Sequence, residues 1–179
     1  MRAITGYPDL SGEPLTELKQ YLSISGTRDD ALLVQMLRAA HAMCERFTGL
    51  AAQPTQFDVV LPELAGWQAV EPRPVIAIGE ARLESSGGAL RVLTAAEYET
   101  RIDHEGVAHV RLQKAEPDGR LVLAVTAAVS PSWDMLEPDL RQGIVRLAAH
   151  AYRERDAGPQ ANPPAAVAAL WRPYRRLRL

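Results

Sequence analysis

Two amphipathic helical stripes stand towards opposite ends of this chain, and the residues between them alternate with the period of β-strands. That order constrains the fold more tightly than any motif. In the first stripe Leu32, Leu33, Met36, Leu37, Ala40, Met43, Cys44 and Phe47 recur at three- and four-residue spacing, which gathers them on one face of a helix over 29–48. Gln35, Arg38, His41, Glu45 and Arg46 fall towards the other side. In the second, Leu140, Ile144, Leu147, Ala148, Ala151 and Tyr152 do the same over 138–156, with Arg141, Arg146, His150, Arg153 and Arg155 around the rest. Each stripe must be buried, and the economical solution packs one helix on the other. The expected fold class is α+β: a small bundle of amphipathic helices from both ends of the chain, an antiparallel β-meander inserted between them, and an extended or helical C-terminal tail.

Local signals set the boundaries. Pro14 suits a first helical turn, and Leu15, Leu18 and Leu22 share a face of a short helix over 14–22. The polar run Ser23 to Thr27 breaks it. Thr27 or Asp29 is placed to cap the second helix, with Asp29 and Asp30 favourable against its dipole, and Gly49 suits a left-handed end. Between about 53 and 128 the candidate strands are 56–61, 75–84, 89–93, 98–102, 107–113 and 121–127. Ser85-Ser86-Gly87-Gly88 and Glu116-Pro117-Asp118-Gly119 carry turn chemistry, and each is expected to join neighbouring strands as a hairpin. Pro138, between Glu137 and Asp139, opens the third helix, and Gly158-Pro159 is the expected stop. The chain thus divides into a folded domain over 1–158 and, over 159–179, a flexible joint followed by a tail.

With 179 residues, 47% of them hydrophobic and 23% charged, the chain can bury a core without disulfides or metals. A formal net charge of −2 is not that of a protein built to wrap nucleic acid. The charge is uneven: residues 1–90 carry 7 basic and 11 acidic side chains, residues 91–179 carry 13 and 11. Cys44 is the lone cysteine, which excludes an intramolecular disulfide and a cysteine-based zinc site, and it reads as a small core residue. There is no run of eighteen apolar residues to suggest a membrane span, and no basic leader ahead of an apolar stretch.

The tail is the most unusual stretch. From Pro163-Pro164 a small apolar run leads into Trp171-Arg172-Pro173-Tyr174-Arg175-Arg176-Leu177-Arg178-Leu179. Trp, Tyr and Arg are the side chains most enriched at the energetic centres of protein interfaces. Trp171, Arg172, Pro173, Tyr174, Arg175, Arg176 and Arg178 are therefore the candidate partner-binding residues, with Pro173 expected to give Arg172 an extended exit. A frayed, solvated end is the plainer alternative.

Catalytic constellations are weak. His104 and His109 stand five apart near Asp103 and Glu105, but positions five apart on a strand face opposite sides, so solvated turn residues are the better reading. His41 and His150 are expected on helix surfaces. No phosphate loop, His-Glu-x-x-His or Gly-x-Ser-x-Gly element occurs, and the serines fall mostly in turns. No cofactor and no metal site is expected, and the chain is not expected to be an enzyme. Two other readings stand beside an interaction role: a small cytoplasmic enzyme or ligand-binding domain with its site between the sheet and the third helix, and nucleic-acid binding through the arginine tail.

Pro14-Leu15-Thr16-Glu17-Leu18-Lys19-Gln20-Tyr21-Leu22, then Asp29-Asp30, then Glu45-Arg46-Phe47-Thr48-Gly49 resembles the opening of the head–tail connector, or adaptor, proteins of long-tailed bacteriophages and of phage-like gene transfer agents. Pro138-Asp139-Leu140-Arg141, the Tyr152-Arg153-Glu154-Arg155 run and the finish through Arg172-Pro173-Tyr174-Arg175 look like the closing helix and ending of that family. The resemblance implies a structural protein of the particle neck, present in the virion and in the bacterial host cytoplasm during assembly. It implies a ring of copies, usually twelve, beneath the portal protein, with the C-terminal segment docked on the portal. A stopper or tail-terminator protein would meet the opposite face. DNA would pass through the middle without sequence-specific binding, and no membrane is involved.

Overall fold

The alternation between 53 and 128 resolves, in a computed structural model that describes residues 1–61, 66–114, 119–154 and 162–175, into antiparallel sheet throughout. The chain as a whole is α+β and divides into two units: Met1–Tyr7 with Pro54–Val129, and Pro8–Gln53 with Ser130–Leu179.

In the β unit, β2 (Thr55–Leu61) buries Thr55, Phe57, Val59 and Leu61 and leaves the residues between them exposed or half-buried, the pattern of a strand with one wet face. It pairs with β8 (Gly119–Ala127), setting Phe57 against Val125 and Val59 against Leu123. On its other side β8 pairs with β4 (Val75–Ser85). β1 (Arg2–Gly6) and β5 (Leu90–Val92) complete a five-stranded sheet in the order β1-β2-β8-β4-β5. A second sheet, in the order β3-β7-β6, joins β3 (Gln68–Val70), β7 (Ala108–Leu112) and β6 (Tyr98–Ile102), and buries Val70, Ala108, Val110 and Leu112.

The strand expectations are met within two residues, with two exceptions. β1 and β3 have no counterpart in the sequence reading: β1 offers one bulky apolar residue, Ile4, and β3 is three residues long, so neither alternates enough to register. The expected hairpin across Glu116–Gly119 is a correction. β7 and β8 lie in different sheets, so the chain crosses between sheets there, and residues 115–118 are outside the described set. Ser85 to Gly88 does close the β4–β5 hairpin, with Gly88 at φ 81 and the Ser85 N–H donating to the Ala89 carbonyl at 2.9 Å. On the β6–β7 turn, Asp103 accepts from the N–H groups of Glu105 at 2.9 Å and Val107 at 3.0 Å, which holds its carboxyl below the usual range together with a bond from His109. Arg82 of β4 reaches across to Asp58 at 2.6 Å, and Trp67 is flanked by the guanidinium groups of Arg101 and Arg111 at 4.6 and 4.9 Å.

The helical unit is built around α2 (Asp30–Thr48). Leu33, Leu37, Ala40 and Cys44 line its fully buried stripe, and α3 (Pro138–Arg153) packs there with Leu140, Ile144, Val145, Ala148 and Ala149. Both helices end close to expectation, although α3 stops at Arg153, ahead of the Gly158-Pro159 signal, which lies outside the described residues. Gly49 takes the left-handed conformation, φ 76, and its N–H closes on the Glu45 carbonyl at 2.7 Å. α1 (Glu13–Leu22) also ends left-handed, but on Ser23 at φ 59.

Polar ties cross between these helices. The Tyr152 hydroxyl donates to Asp29 Oδ2 at 2.7 Å, so Asp29 serves the α3 contact and makes no capping bond at the head of α2. Lys19 pairs with Asp30 at 2.7 Å, and the buried Trp133 indole donates to Glu17 Oε2 at 2.8 Å. Among the described residues no helix is long and apolar enough to cross a membrane.

His41 and Glu45, expected on the polar side of α2, are buried, and this is a correction. The cause is that α1, α3 and the C-terminal helix all pack on α2, so the covered arc is wider than its apolar stripe. His41 is 2% exposed and its Nε2 has no hydrogen-bond partner; burial lowers its pKa to about 4. Burial likewise pushes the Cys44 thiol up to about 12.

The C-terminal helix α4 (Ala165–Trp171) is seated by a close approach. Trp171 is fully buried, with its Nε1 donating to the Leu140 carbonyl at 3.4 Å and its ring centroid 6.1 Å from that of Phe47. Facing the indole is Gly143 of α3, where a Cβ would overlap the indole nitrogen itself. A mid-helix glycine is unfavourable by roughly 0.5–1 kcal/mol relative to alanine, and here it makes room for the largest side chain in the core.

Two outcomes follow from these positions. The unfolded chain binds a proton on His41 below pH 6.5 while the folded chain does not until about pH 4, so the stability His41 contributes is present above pH 6.5 and lost as pH falls towards 4. His41→Leu is expected to flatten the urea-midpoint profile between pH 7 and 4.5, retaining about 2–3 kcal/mol that the unmodified chain loses; parallel profiles in the two proteins would refute this. Gly143→Ala is expected to lower the melting temperature, by a loss of about 1–3 kcal/mol if the core yields, and to red-shift tryptophan emission if α4 lifts away. Unchanged melting and emission would show that Trp171 is not seated there.

Candidate docking surface

The tail reaches its surface through a rigid element. Pro164 stands at the cap of α4 with φ −52 and ψ 148, and its carbonyl accepts from the N–H groups of Val167 and Ala168 at 2.9 Å each. A proline here ends the chain's extended approach and starts the helix, because its own missing N–H is one the first turn leaves unpaired anyway. Val167 and Trp171 are the buried residues of α4. The helix then tightens into a 3-10 turn over Arg172–Tyr174.

Arg172 is helical, φ −56 and ψ −40, where an extended exit was expected. The reason is that Pro173 occupies the opening of the 3-10 turn, a position that tolerates proline, and the backbone becomes extended only at Arg175, φ −77 and ψ 119.

The seven candidate residues separate. Trp171, expected as a docking anchor, instead fills the interior of its own unit. Arg172, Pro173 and Arg175 are exposed, Tyr174 is half-buried, and Arg176 and Arg178 lie outside the described residues. Burial first, then the charges of Asp139 and Glu137, raise the Tyr174 pKa, so the phenol stays neutral and able to donate a hydrogen bond. The Arg175 guanidinium lies 5.4 Å from the centre of the Phe47 ring, an aromatic platform that itself rests on Trp171. The surface therefore presents two planar cationic forks and a phenol on a buttressed base, beside the acidic start of α3. It suits a protein surface carrying carboxylates and carbonyls.

Phe47 and Gly143 are the residues of this arrangement that sequence reasoning did not single out as part of it. A glycine in the middle of an otherwise strong helix was the available signal. It marks a close approach without saying to what.

The histidines do not converge. His109 Nε2 lies 3.2 Å from Asp103 Oδ2 on the face of β7, and His150 pairs with Glu154 at 3.2 Å. His41 is sealed in the core. Among the described residues no group of three or more His, Cys, Asp or Glu is placed to hold a metal. The serines hold turns: Ser130 Oγ donates to the Ser132 carbonyl at 3.0 Å, Ser132 Oγ to Asp134 at 2.5 Å, and Ser85 Oγ accepts from the Ala89 N–H at 3.2 Å.

No protein-family model matches the sequence, and comparison with curated proteins gives no match. Solved structures do match, over the entire chain. A chain of "Neck of empty GTA particle computed with C6 symmetry" is 26% identical with a TM-score of 0.78, and the similarity covers 100% of this chain and 97% of that one. Chains of "Virion of native gene transfer agent (GTA) particle" and of "Neck of native GTA particle computed with C12 symmetry" are each 27% identical with TM-scores of 0.74, at the same coverage. From end to end, both units included, the chain is similar in sequence and fold to a chain found in the neck of gene transfer agent particles.

Proposed function

We propose that this protein is a structural head–tail connector, an adaptor, in the neck of a tailed phage or phage-like particle. The observation that carries the proposal is the similarity to chains of gene transfer agent necks, at 26–27% identity over 100% of this chain and 97% of those chains. Copies associate side by side into a closed ring through a heterologous interface, one flank of each copy meeting the other flank of the next. The ring lies beneath the portal protein, a stopper or tail-terminator protein meets its other face, and DNA passes through the middle. The rotational symmetry used for the related necks, sixfold and twelvefold, supports a ring of twelve. The work is mechanical and needs no catalytic group.

Portal docking falls to the exposed tip, Arg172, Pro173, Tyr174 and Arg175, together with Arg176 and Arg178, while Trp171 fixes that tip to its own subunit. Anchoring the base of the tip lowers the ordering cost of docking, because α4 is already held when the arginines meet their partners. Weak contacts repeated around a ring then act together, and release becomes slow.

Truncation after Trp171 is the appropriate test, since it removes the tip and leaves the core intact. The truncated protein is expected to melt with the full chain and to disappear from purified portal-containing heads; undiminished attachment would remove the docking role. Changing Arg172, Arg175, Arg176 and Arg178 to Gln is expected to weaken attachment at low salt and to reduce its salt dependence. An attachment with unaltered salt dependence would show that the arginines are bystanders.

A further inference from the structure

Among the described residues the five-stranded sheet ends on β1 at one side and on β5 at the other. At the first end, the Met1 amine donates to the Val60 carbonyl at 3.1 Å and the Val60 N–H donates to the Met1 carbonyl at 2.7 Å. In an antiparallel pair such exchanged bonds recur at every second residue, so Ala3, opposite Asp58, faces β2, and Ile4 turns its N–H and C=O to the outer edge. At the other end, Ser85 N–H bonds the Ala89 carbonyl and Leu93 N–H bonds the Ala81 carbonyl. Residues 89, 91 and 93 therefore face β4, and Leu90 and Val92 turn their backbone groups outward.

The two edges differ in protection, although both strands are short. Proteins blunt open edges with lysine, proline or bulges. β4 has two register shifts, next to Ile76 and next to Gly79, and these disturb its own uncovered stretch. β5 has none, and it exposes Leu90 at 59% and Val92 at 56%. β1 has one register shift, between Ile4 and Gly6, and exposes Ala3 in the regular stretch ahead of it. The apolar edge of β5 is a template for pairing with another strand.

We propose that successive copies join through β5 of one and β1 of the next, so that the five-stranded sheet continues from subunit to subunit. The occupant of each edge is a second copy of this chain, and the interface rests on the ring assembly proposed above. Three features select this pairing. Alternating antiparallel order makes β1 and β5 run in the same direction, so a continued sheet joins them as a parallel pair. In a parallel pair the residue opposite an outward-bonding one turns its own backbone away, which sets Leu90 opposite Ala3, ahead of the register shift between Ile4 and Gly6 that ends the regular part of β1. The faces then agree: Leu90 and Val92 stand on the side of the sheet that carries Glu84 and Arg82, Ala3 on the side that carries Asp58, and the Arg82–Asp58 ion pair shows that these are one face. The joint is heterologous, as a closing ring requires, and it brings apolar Leu90 against small Ala3.

The test is the full chain carrying Ala3→Cys and Leu90→Cys together, assembled on portal-bearing heads and oxidised. Neighbouring strands place Cα atoms within disulfide reach, and native Cys44 is buried. A ladder of covalent multimers up to the full ring is expected, and no ladder from either single variant. Rings visible by electron microscopy but without cross-links in the double variant would overturn the edge pairing and leave the ring reading standing. Failure of the unmodified chain to form rings on heads would overturn both. A second variant, Leu90→Lys with Val92→Lys, is expected to leave the melting temperature unchanged and reduce ring occupancy by about tenfold or more; unchanged occupancy would also refute the proposal.

Discussion

The helical unit depends on how completely α2 is covered. A surface helix normally hides one stripe and wets the rest. α2 is packed by α1, α3 and α4, and the cover extends over His41, Glu45 and Thr48 as well as its leucines. Several features follow from that cover. His41 is held neutral, Cys44 is chemically quiet, and Phe47 becomes the platform on which the end of the chain is arranged. Removing any one of the packed helices would expose part of that buried surface to water.

Trp171 illustrates why an aromatic–arginine ending is ambiguous. The same large, rigid surface that anchors a partner's pocket also anchors a helix to its own domain, and composition does not distinguish the two. What distinguishes them is the complementary notch, and here the notch is Gly143, twenty-eight residues upstream in the same chain. Among the described residues, the arginines that follow have no such notch. Arg172 and Arg175 are exposed at the end of a helix whose base is fixed by the buried indole.

Much of this architecture was legible in the residues. Leu33, Leu37, Ala40 and Cys44 on one side, and Leu140, Ile144 and Ala148 on the other, specify two helices that must meet, and the alternation through Phe57, Val59 and Leu61 specifies a half-buried strand. What stayed hidden was long-range. That β8 lies between β2 and β4, and that β7 belongs to another sheet, depends on pairings among strands whose local patterns are interchangeable. The burial of His41 and Glu45 depends on a third and a fourth neighbour that helical spacing does not encode. The fate of Trp171 depended on a residue with no side chain.

The division of the helical unit between residues 8–53 and 130–179 has a consequence for how the protein is made. α2 ends at Thr48 and α3 begins at Pro138, so the partner of the first apolar stripe is synthesised only after the intervening strands. At roughly 5–20 residues per second, the nascent chain leaves that stripe uncovered on the ribosome for on the order of ten seconds. During that interval the stripe is open to other apolar surfaces, and covering it is the step that α3 completes.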